Sequence, residues 1–343
     1  MAQLNSDPIL LMGGTGAIGR LTARALRNIY PEVPLLIGGR DLVKSREAAG
    51  EIGQAEGVVI DPRADDLGLG DRRVSAVVVF YADDRLAGLR FAQGRRVPHL
   101  SISSGVYEIA PEVATYMHSP GAAAIVLGYE WLVGATTIGT LACAKDFAKI
   151  QEIRIGALVD EQDGGGPAVA EDFERLSHMM PAALTHRDGS YVWRSKEGAK
   201  AEFHAIDGAK VEATGFSSID VVGLAVATGA PNVQFNIATG VSSSRRRGGP
   251  KSTEIIIELA GDDHDGRPLR TRHAVFHPGG AAHLTALGIS MILERLVGLD
   301  GSAPTPAGLY FPFQVLDHAT YLSRLRAEGG SIVSLDVGQP MRQ

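Results

Sequence analysis

Ile9-Leu10-Leu11-Met12-Gly13-Gly14-Thr15-Gly16-Ala17-Ile18-Gly19-Arg20 decides the architecture. Four apolar residues in a row read as a strand covered on both faces. They stop at a glycine-rich turn, and from Ile18 to Asn28 the apolar residues recur at helical spacing. Gly14, Gly16 and Gly19 stand in Gly-x-Gly-x-x-Gly spacing, between that strand and that helix. With 42 glycines in the chain a bare match means little, and the strand–turn–helix context is what makes this one specific. Gly14 permits a tight turn, Gly16 lets backbone amides approach a pyrophosphate, and Gly19 lets the helix pack closely on the sheet. The helix N-terminus adds unpaired N–H groups and a partial positive charge. Gly14, Thr15, Gly16, Ala17, Ile18 and Gly19 are therefore the expected cradle of a dinucleotide in a Rossmann fold.

Outward from this motif, short apolar runs at residues 35–37, 58–60, 74–80, 99–102 and 123–127 alternate with helical patterns at 41–51 and 83–94. That alternation is the mark of βαβ units and a parallel sheet, so residues 1–127 are expected as an α/β, doubly wound domain. The pattern then changes. A helix is expected at 135–148 and a strand at 152–159, followed by a glycine-rich loop, Asp163-Gly164-Gly165-Gly166-Pro167. Alternating segments at 253–259 and 269–276 flank Asp265-Gly266, a strong hairpin signal. Helices follow at 282–297 and 317–327. Residues 128–310 thus read as a second, α+β domain with a mixed or antiparallel sheet, one face solvated. The low-complexity stretch 242–249, Ser-Ser-Ser-Arg-Arg-Arg-Gly-Gly, reads as an exposed loop, with an anion-binding patch as the alternative.

Cofactor choice is written at the end of the second strand. NAD enzymes place Asp or Glu there to accept from the ribose 2′-OH. Here Ile37 is followed by Gly38-Gly39-Arg40, so Gly39 leaves room and the Arg40 guanidinium can grip a 2′-phosphate bidentately. Asp41 opens a helix and reads as its N-cap. NADP(H) is the expected cofactor. The nicotinamide end belongs at the C-terminal ends of strands four and five, at Phe80 and Tyr81 and at Ser103 and Ser104. Asp61 ends strand three on the adenine side.

Composition narrows the partners. Hydrophobic residues make up 45% of the 343 and the net charge is −6, which suits a globular protein and argues against nucleic acid. The one cysteine, Cys143, gives no disulfide framework. The first residues lack the basic and apolar regions of a signal peptide, so a cytoplasmic location is expected. Residues 121–144 are apolar but carry Glu130, with Gly128, Gly134 and Gly139 as punctuation, which suits a strand and a core helix better than a membrane span. No tyrosine has a lysine four residues on, which excludes short-chain dehydrogenase chemistry. His264, His273, His277 and His283 lack metal-ligand spacing, and no metal is expected. Ser103 and Ser104 are not in a Gly-x-Ser-x-Gly elbow.

With these residues placed, the chain resembles the saccharopine dehydrogenase-like oxidoreductases. The resemblance rests on Gly13–Arg20 with Gly38-Gly39-Arg40, on residues 254–261 with 266–270, on Gly308-Leu309-Tyr310-Phe311-Pro312, and on residues 321–325 and 329–332. It departs from many members at Ser101, where they carry Asp, and at Tyr129-Glu130-Trp131-Leu132, where a Pro-Gly usually opens the second domain. The resemblance implies hydride transfer to or from an imine, amine or other polarised double bond of a small molecule. It further implies a homodimer formed through the second domain, and a segment 311–343 that returns to the first. Tyr81, Tyr129 and Glu130 are the candidate proton donors, Glu130 because apolar neighbours would leave its carboxylate poorly solvated. The alternative is a non-catalytic NADP(H)-binding regulator.

Overall fold

In the computed structural model, which describes residues 7–163, 171–172, 174–176 and 182–337, the chain divides into two units. Unit 1 is Met1–Tyr129 with Thr285–Asp317, and unit 2 is Glu130–Leu284 with His318–Gln343.

Unit 1 is built on β1 (Ile9–Met12), β2 (Leu35–Gly39), β3 (Ala55–Val59), β4 (Ala76–Val79), β5 (His99–Ser101) and β6 (Ala124–Leu127). A late strand, β15 in chain order (Gly308–Tyr310), joins them. The order β15-β6-β5-β4-β1-β2-β3 is parallel throughout. Every residue of β1, β4 and β6 is buried, as continuous apolar runs require. Each large side chain so buried contributes roughly 1.5–3 kcal/mol. The helices are α1 (Ala17–Ile29), α2 (Leu42–Ile52), α3 (Ala87–Arg95) and α4 (Ala110–His118). Gly19, Thr22, Ala23 and Leu26 form the buried stripe of α1, at helical spacing. The strand order reverses at β1, between β4 and β2, and ligands of such sheets sit beyond the strand C-termini at that point.

Unit 2 holds α5 (Ala135–Cys143), β7 (Phe147–Asp160), β8 (Ala182–Arg187), β9 (Ser190–Ser195), β10 (Lys200–His204), β11 (Lys210–Gly215) and α6 (Asp220–Thr228). Then come β12 (Asn232–Gly240), α7 (Ser243–Arg246), β13 (Thr253–Asp263) and β14 (Pro268–His277). The helix α8 (Ala281–Val297) carries the chain into unit 1, where α9 (Pro312–Val315) follows β15. Finally α10 (His318–Ala327) and β16 (Ser331–Leu335) belong to unit 2. The sheet runs β10-β11-β12-β7-β13-β14-β16, with β8 beside β12 and β9 beside β8. Among the described residues only β7 and β12 pair in parallel, so the sheet is mixed. Phe203 of β10 lies on Gly156, where an added Cβ would come within 2.7 Å of the ring. Phe203 and Ala205 thereby pack with Leu158, Ala238, Ile256 and Ala274 on one sheet face. That face, expected to be solvated, is partly covered by the chain's own β10. Farther along it, Arg154 pairs with Glu152 and Arg272 with Glu258.

Several expectations are corrected. The division 1–127, 128–310 and 311–343 is too simple. β15 adds to the edge of β6, whereas β16 pairs with β14, so the end of the chain belongs to unit 2 rather than unit 1. The helix expected to reach residue 148 ends at Cys143, because Phe147 already pairs with Asp263 and extends β7 back from Glu152. The helix expected from Asp83 starts at Ala87, and the Asp83 carboxylate accepts from Gly88 N at 2.8 Å. Residues 242–249 are no open loop: Ser242 and Ser243 are fully buried and α7 is pinned by ion pairs of Arg245 with Asp160 and Arg246 with Asp207. Two of the arginines of the supposed anion patch are thus already neutralised. Gly164, Gly165, Gly166 and Pro167 lie outside the described residues. No helix among the described residues is long and apolar enough to cross a membrane.

Candidate functional site

The turn after β1 is fixed by its own backbone. Gly13 N donates to Gly38 O at 2.9 Å, Gly14 N to Leu11 O at 3.0 Å and Gly16 N to Gly13 O at 3.0 Å. Arg20 ties it from the helix side, its Nε donating to Thr15 O at 3.0 Å. The glycines then separate by cause. A Cβ on Gly14 would meet Leu11 O at 2.9 Å, and one on Gly19 would meet Gly14 Cα at 2.6 Å. Those two are required by the protein's packing. Gly16 is different: its φ is −74°, and a Cβ there would meet only Gly13 O, at 3.4 Å. No contact among the described residues demands glycine at 16. Gly16 is the N-cap of α1 and no side-chain hydrogen bond caps that helix, so its first-turn amides include donors without an intrahelical partner. A residue left small above an uncapped helix N-terminus fits a phosphate approaching the backbone.

The side expected to face adenosine is formed by the ends of β2 and β3. A Cβ on Gly39 would come within 2.8 Å of Ser45 Oγ and 3.3 Å of Thr15 Cγ2, which sets the β2 terminus beside the cradle. Asp41 caps α2, accepting from Val43 N at 2.8 Å and Lys44 N at 3.3 Å, so its carboxylate is engaged. Arg40 is exposed and makes no hydrogen bond or ion pair among the described residues. Asp61 closes the turn after β3, accepting from Arg63 N at 2.9 Å.

At the other side, Phe80 N donates to Met12 O at 3.0 Å, continuing the β1–β4 ladder to the site. Tyr81 lies against the glycine turn: a Cβ on Gly13, whose φ is +87°, would come within 3.0 Å of its ring. Burial pushes the Tyr81 phenol up to about 12, Asp83 adds to that, and the Arg40 charge opposes it. Beyond β5 stands a group that sequence reading missed. Glu112, on α4, is 3% exposed. Its carboxyl accepts from Ser104 Oγ at 3.0 Å, from Ser101 Oγ at 3.2 Å and from the Tyr129 hydroxyl. Ser101 and Tyr129 are joined at 2.5 Å. Burial pushes the Glu112 acid up, and the three hydroxyls pull less strongly the other way. Burial and the Glu112 charge push Tyr129 well above its ordinary value. Ser103 is buried beside this group in sequence, and Ser104 is half-buried. Glu112 had no sequence signal, since an acid after Pro111 in a first helical turn reads as a surface residue favoured by the dipole.

Glu130, the first residue of unit 2, is 2% exposed. Its charge adds to burial in raising the phenol of Tyr321. The turn that follows is strained: Leu132 and Val133 have φ of +54° and Gly134 of +94°. Val133 is β-branched and 2% exposed, a position that only surrounding structure can enforce. Asp220 enforces it, fully buried and accepting from Trp131 N at 2.6 Å, Thr137 Oγ1 at 2.9 Å and Ser218 Oγ. No group of His, Cys, Asp or Glu among the described residues is arranged to hold a metal ion.

A parallel sheet reversing at β1, a glycine-rich turn at its first helix and a second unit with a mixed sheet define an α/β architecture of a Rossmann-like unit with a mixed-sheet unit. Among solved structures the chain is similar to a saccharopine dehydrogenase (L-Glu forming) from Saccharomyces cerevisiae, at a TM-score of 0.63 and 12% identity, covering 96% of this chain and 100% of that one. It is also similar to an amine dehydrogenase from Mycobacterium smegmatis, at a TM-score of 0.51 and 11% identity, covering 91% and 96%. No family model and no curated protein matches the sequence. The resemblance to saccharopine dehydrogenase-like proteins holds at the level of the fold.

Proposed function

We propose that the chain is an NADP(H)-dependent oxidoreductase acting on an imine, amine or other polarised double bond of a small molecule, as a cytoplasmic homodimer. The observation that carries the reading is the pairing of Gly16, small without an internal reason, with Arg40, exposed and unpartnered next to the same turn. When bound, the nicotinamide supplies or accepts the hydride. The chain's part is to hold and orient. Backbone amides at Gly16–Ile18 take the pyrophosphate, Arg40 takes the 2′-phosphate, and Phe80, Tyr81, Ser103 and Ser104 border the nicotinamide end. Tyr81, Tyr129 and Glu130 are the chain's candidate donors of the proton that accompanies reduction. The carbon–nitrogen preference is supported by two fold relatives whose names are those of a saccharopine and an amine dehydrogenase.

The test is a fluorescence titration of the wild-type chain and Arg40→Ser with NADPH and with NADH. Losing a charged hydrogen-bond partner weakens NADPH by roughly 10–150-fold, about 1.5–3 kcal/mol, and leaves NADH nearly unchanged. Equal weakening of both would remove the 2′-phosphate assignment, and failure of the wild type to bind either would remove the reading.

A further inference from the structure

Glu112 is a carboxyl in an unusual setting. It is nearly inaccessible, sits at the C-terminal ends of β5 and β6, and forms no ion pair among the described residues. An ionised carboxylate so placed carries a desolvation cost that only a cation or several strong donors can offset. Its partners are instead three neutral hydroxyls: Tyr129, Ser101 and Ser104. Asp83 and Tyr129 are the titratable groups that act on it, and neither brings positive charge. Hydroxyls both donate and accept, so this set can satisfy the acid with its proton on or off. The set is also continuous, with Ser104 to Glu112 at 3.0 Å, Glu112 to Ser101 at 3.2 Å and Ser101 to Tyr129 at 2.5 Å. One end is closed, since Tyr129 is 9% exposed. The other end opens at the half-buried Ser104, in the segment expected at the nicotinamide.

We propose that Glu112 is the proton store of the cofactor crevice and that Ser104 is the hydroxyl through which its proton passes out. This rests on the oxidoreductase reading above and supplies the proton that reading requires. In the reducing direction the hydride brings both electrons to the carbon. The substrate nitrogen or oxygen takes the Ser104 hydroxyl proton, and Ser104 takes the proton of Glu112. Glu112 is left as a carboxylate held by three hydroxyls and regains its proton from solvent along the same path. Glu112 acts through Ser104 and touches no reacting atom. Ser101 and Tyr129 position it.

Infrared difference spectroscopy tests this without a substrate. Wild type minus Glu112→Gln at neutral pH is expected to contain the carbonyl stretch of an undissociated carboxylic acid, shifting on deuteration; its absence overturns the proposal. Ser104→Ala is expected to keep that band and to slow its shift in D2O by about 10²-fold, the lower end of what a positioned proton carrier contributes. An unchanged exchange rate overturns Ser104 as the outlet, and with it the proposal. Should Glu112→Gln not fold, Tyr129→Phe serves. Losing that donor to the carboxylate moves loss of the band to higher pH, and an unmoved midpoint overturns the network. NADPH titration of the same samples separates the two claims: a Ser104-gated acid in a chain that binds no NADPH removes the oxidoreductase reading and leaves the proton chain standing.

Discussion

Gly16→Ala and Gly19→Ala should behave as opposites, although both remove a glycine of one motif. At Gly16 the backbone has φ −74° and ψ 170°, which alanine adopts freely, and the new methyl meets only Gly13 O at 3.4 Å. The remaining cost is that of alanine at an N-cap, about 1 kcal/mol or less, or a few degrees in Tm. The methyl nevertheless stands where a phosphate must reach the α1 amides. Displacing one or two charge-assisted hydrogen bonds costs about 1.5–3 kcal/mol each, so NADPH should bind at least about 10-fold more weakly. At Gly19 the methyl falls 2.6 Å from Gly14 Cα and 2.9 Å from Gly13 O, backbone atoms that cannot turn aside. Overpacking of that kind costs typically 1–3 kcal/mol, so Gly19→Ala should lose stability first. Differential scanning fluorimetry and NADPH fluorescence titration on the same preparations give both readouts. Wild-type NADPH affinity in Gly16→Ala, or a larger Tm loss there than in Gly19→Ala, would refute the reasoning.

His99 is 2% exposed with neither ring nitrogen hydrogen-bonded among the described residues, and burial lowers its pKa from 6.5 to about 3. The unfolded chain therefore binds the extra proton between these values, and stability falls as pH drops below 6.5 at about 1.4 kcal/mol per unit, or about 2 kcal/mol near pH 5. His99→Leu should flatten that acid limb in urea titrations at several pH values, and parallel wild-type and variant curves would count against it. Glu130→Gln keeps shape and removes charge and tests Glu130 as the rival donor to Ser104: a turnover loss of roughly 10²–10⁴-fold with NADPH binding and Tm intact would assign the proton to Glu130 and count against Ser104, whereas a loss matched by a lower Tm returns Glu130 to a structural role. Light scattering at micromolar protein should give the mass of a dimer, and a monomeric mass would oppose the proposed assembly.

What could be read in advance followed local rules. The glycine turn after β1 is contiguous and its strand and helix flank it directly, so pattern and turn chemistry sufficed to place that local structure. The hairpin of β13 and β14 was legible for the same reason, with Gly266 at φ +77° in its turn. The Glu112 group was not, because Ser101, Ser104 and Tyr129 were singled out for separate reasons, Glu112 carries no local mark, and the four meet only through sheet order. Strands β8 to β10 escaped because their burial follows no strict alternation: in β9 the aromatic Tyr191 and Trp193 are exposed while the charged Arg194 is buried. The separate destinations of β15 and β16 depend on which sheet edge is open, a property of the folded chain alone.

That last feature bears on how the protein is made. Unit 1 needs Gly308–Tyr310 to cover the edge of β6, yet the ribosome delivers Glu130–Leu284 in between. Through most of synthesis the nascent sheet of unit 1 therefore exposes the unpaired N–H and C=O groups of β6, a strand whose side chains are all apolar. Domains of a nascent chain usually close in the order they emerge. Here the first unit to begin folding is not the first able to finish, so the window in which β6 can pair wrongly lasts until the far side of the second unit has been translated.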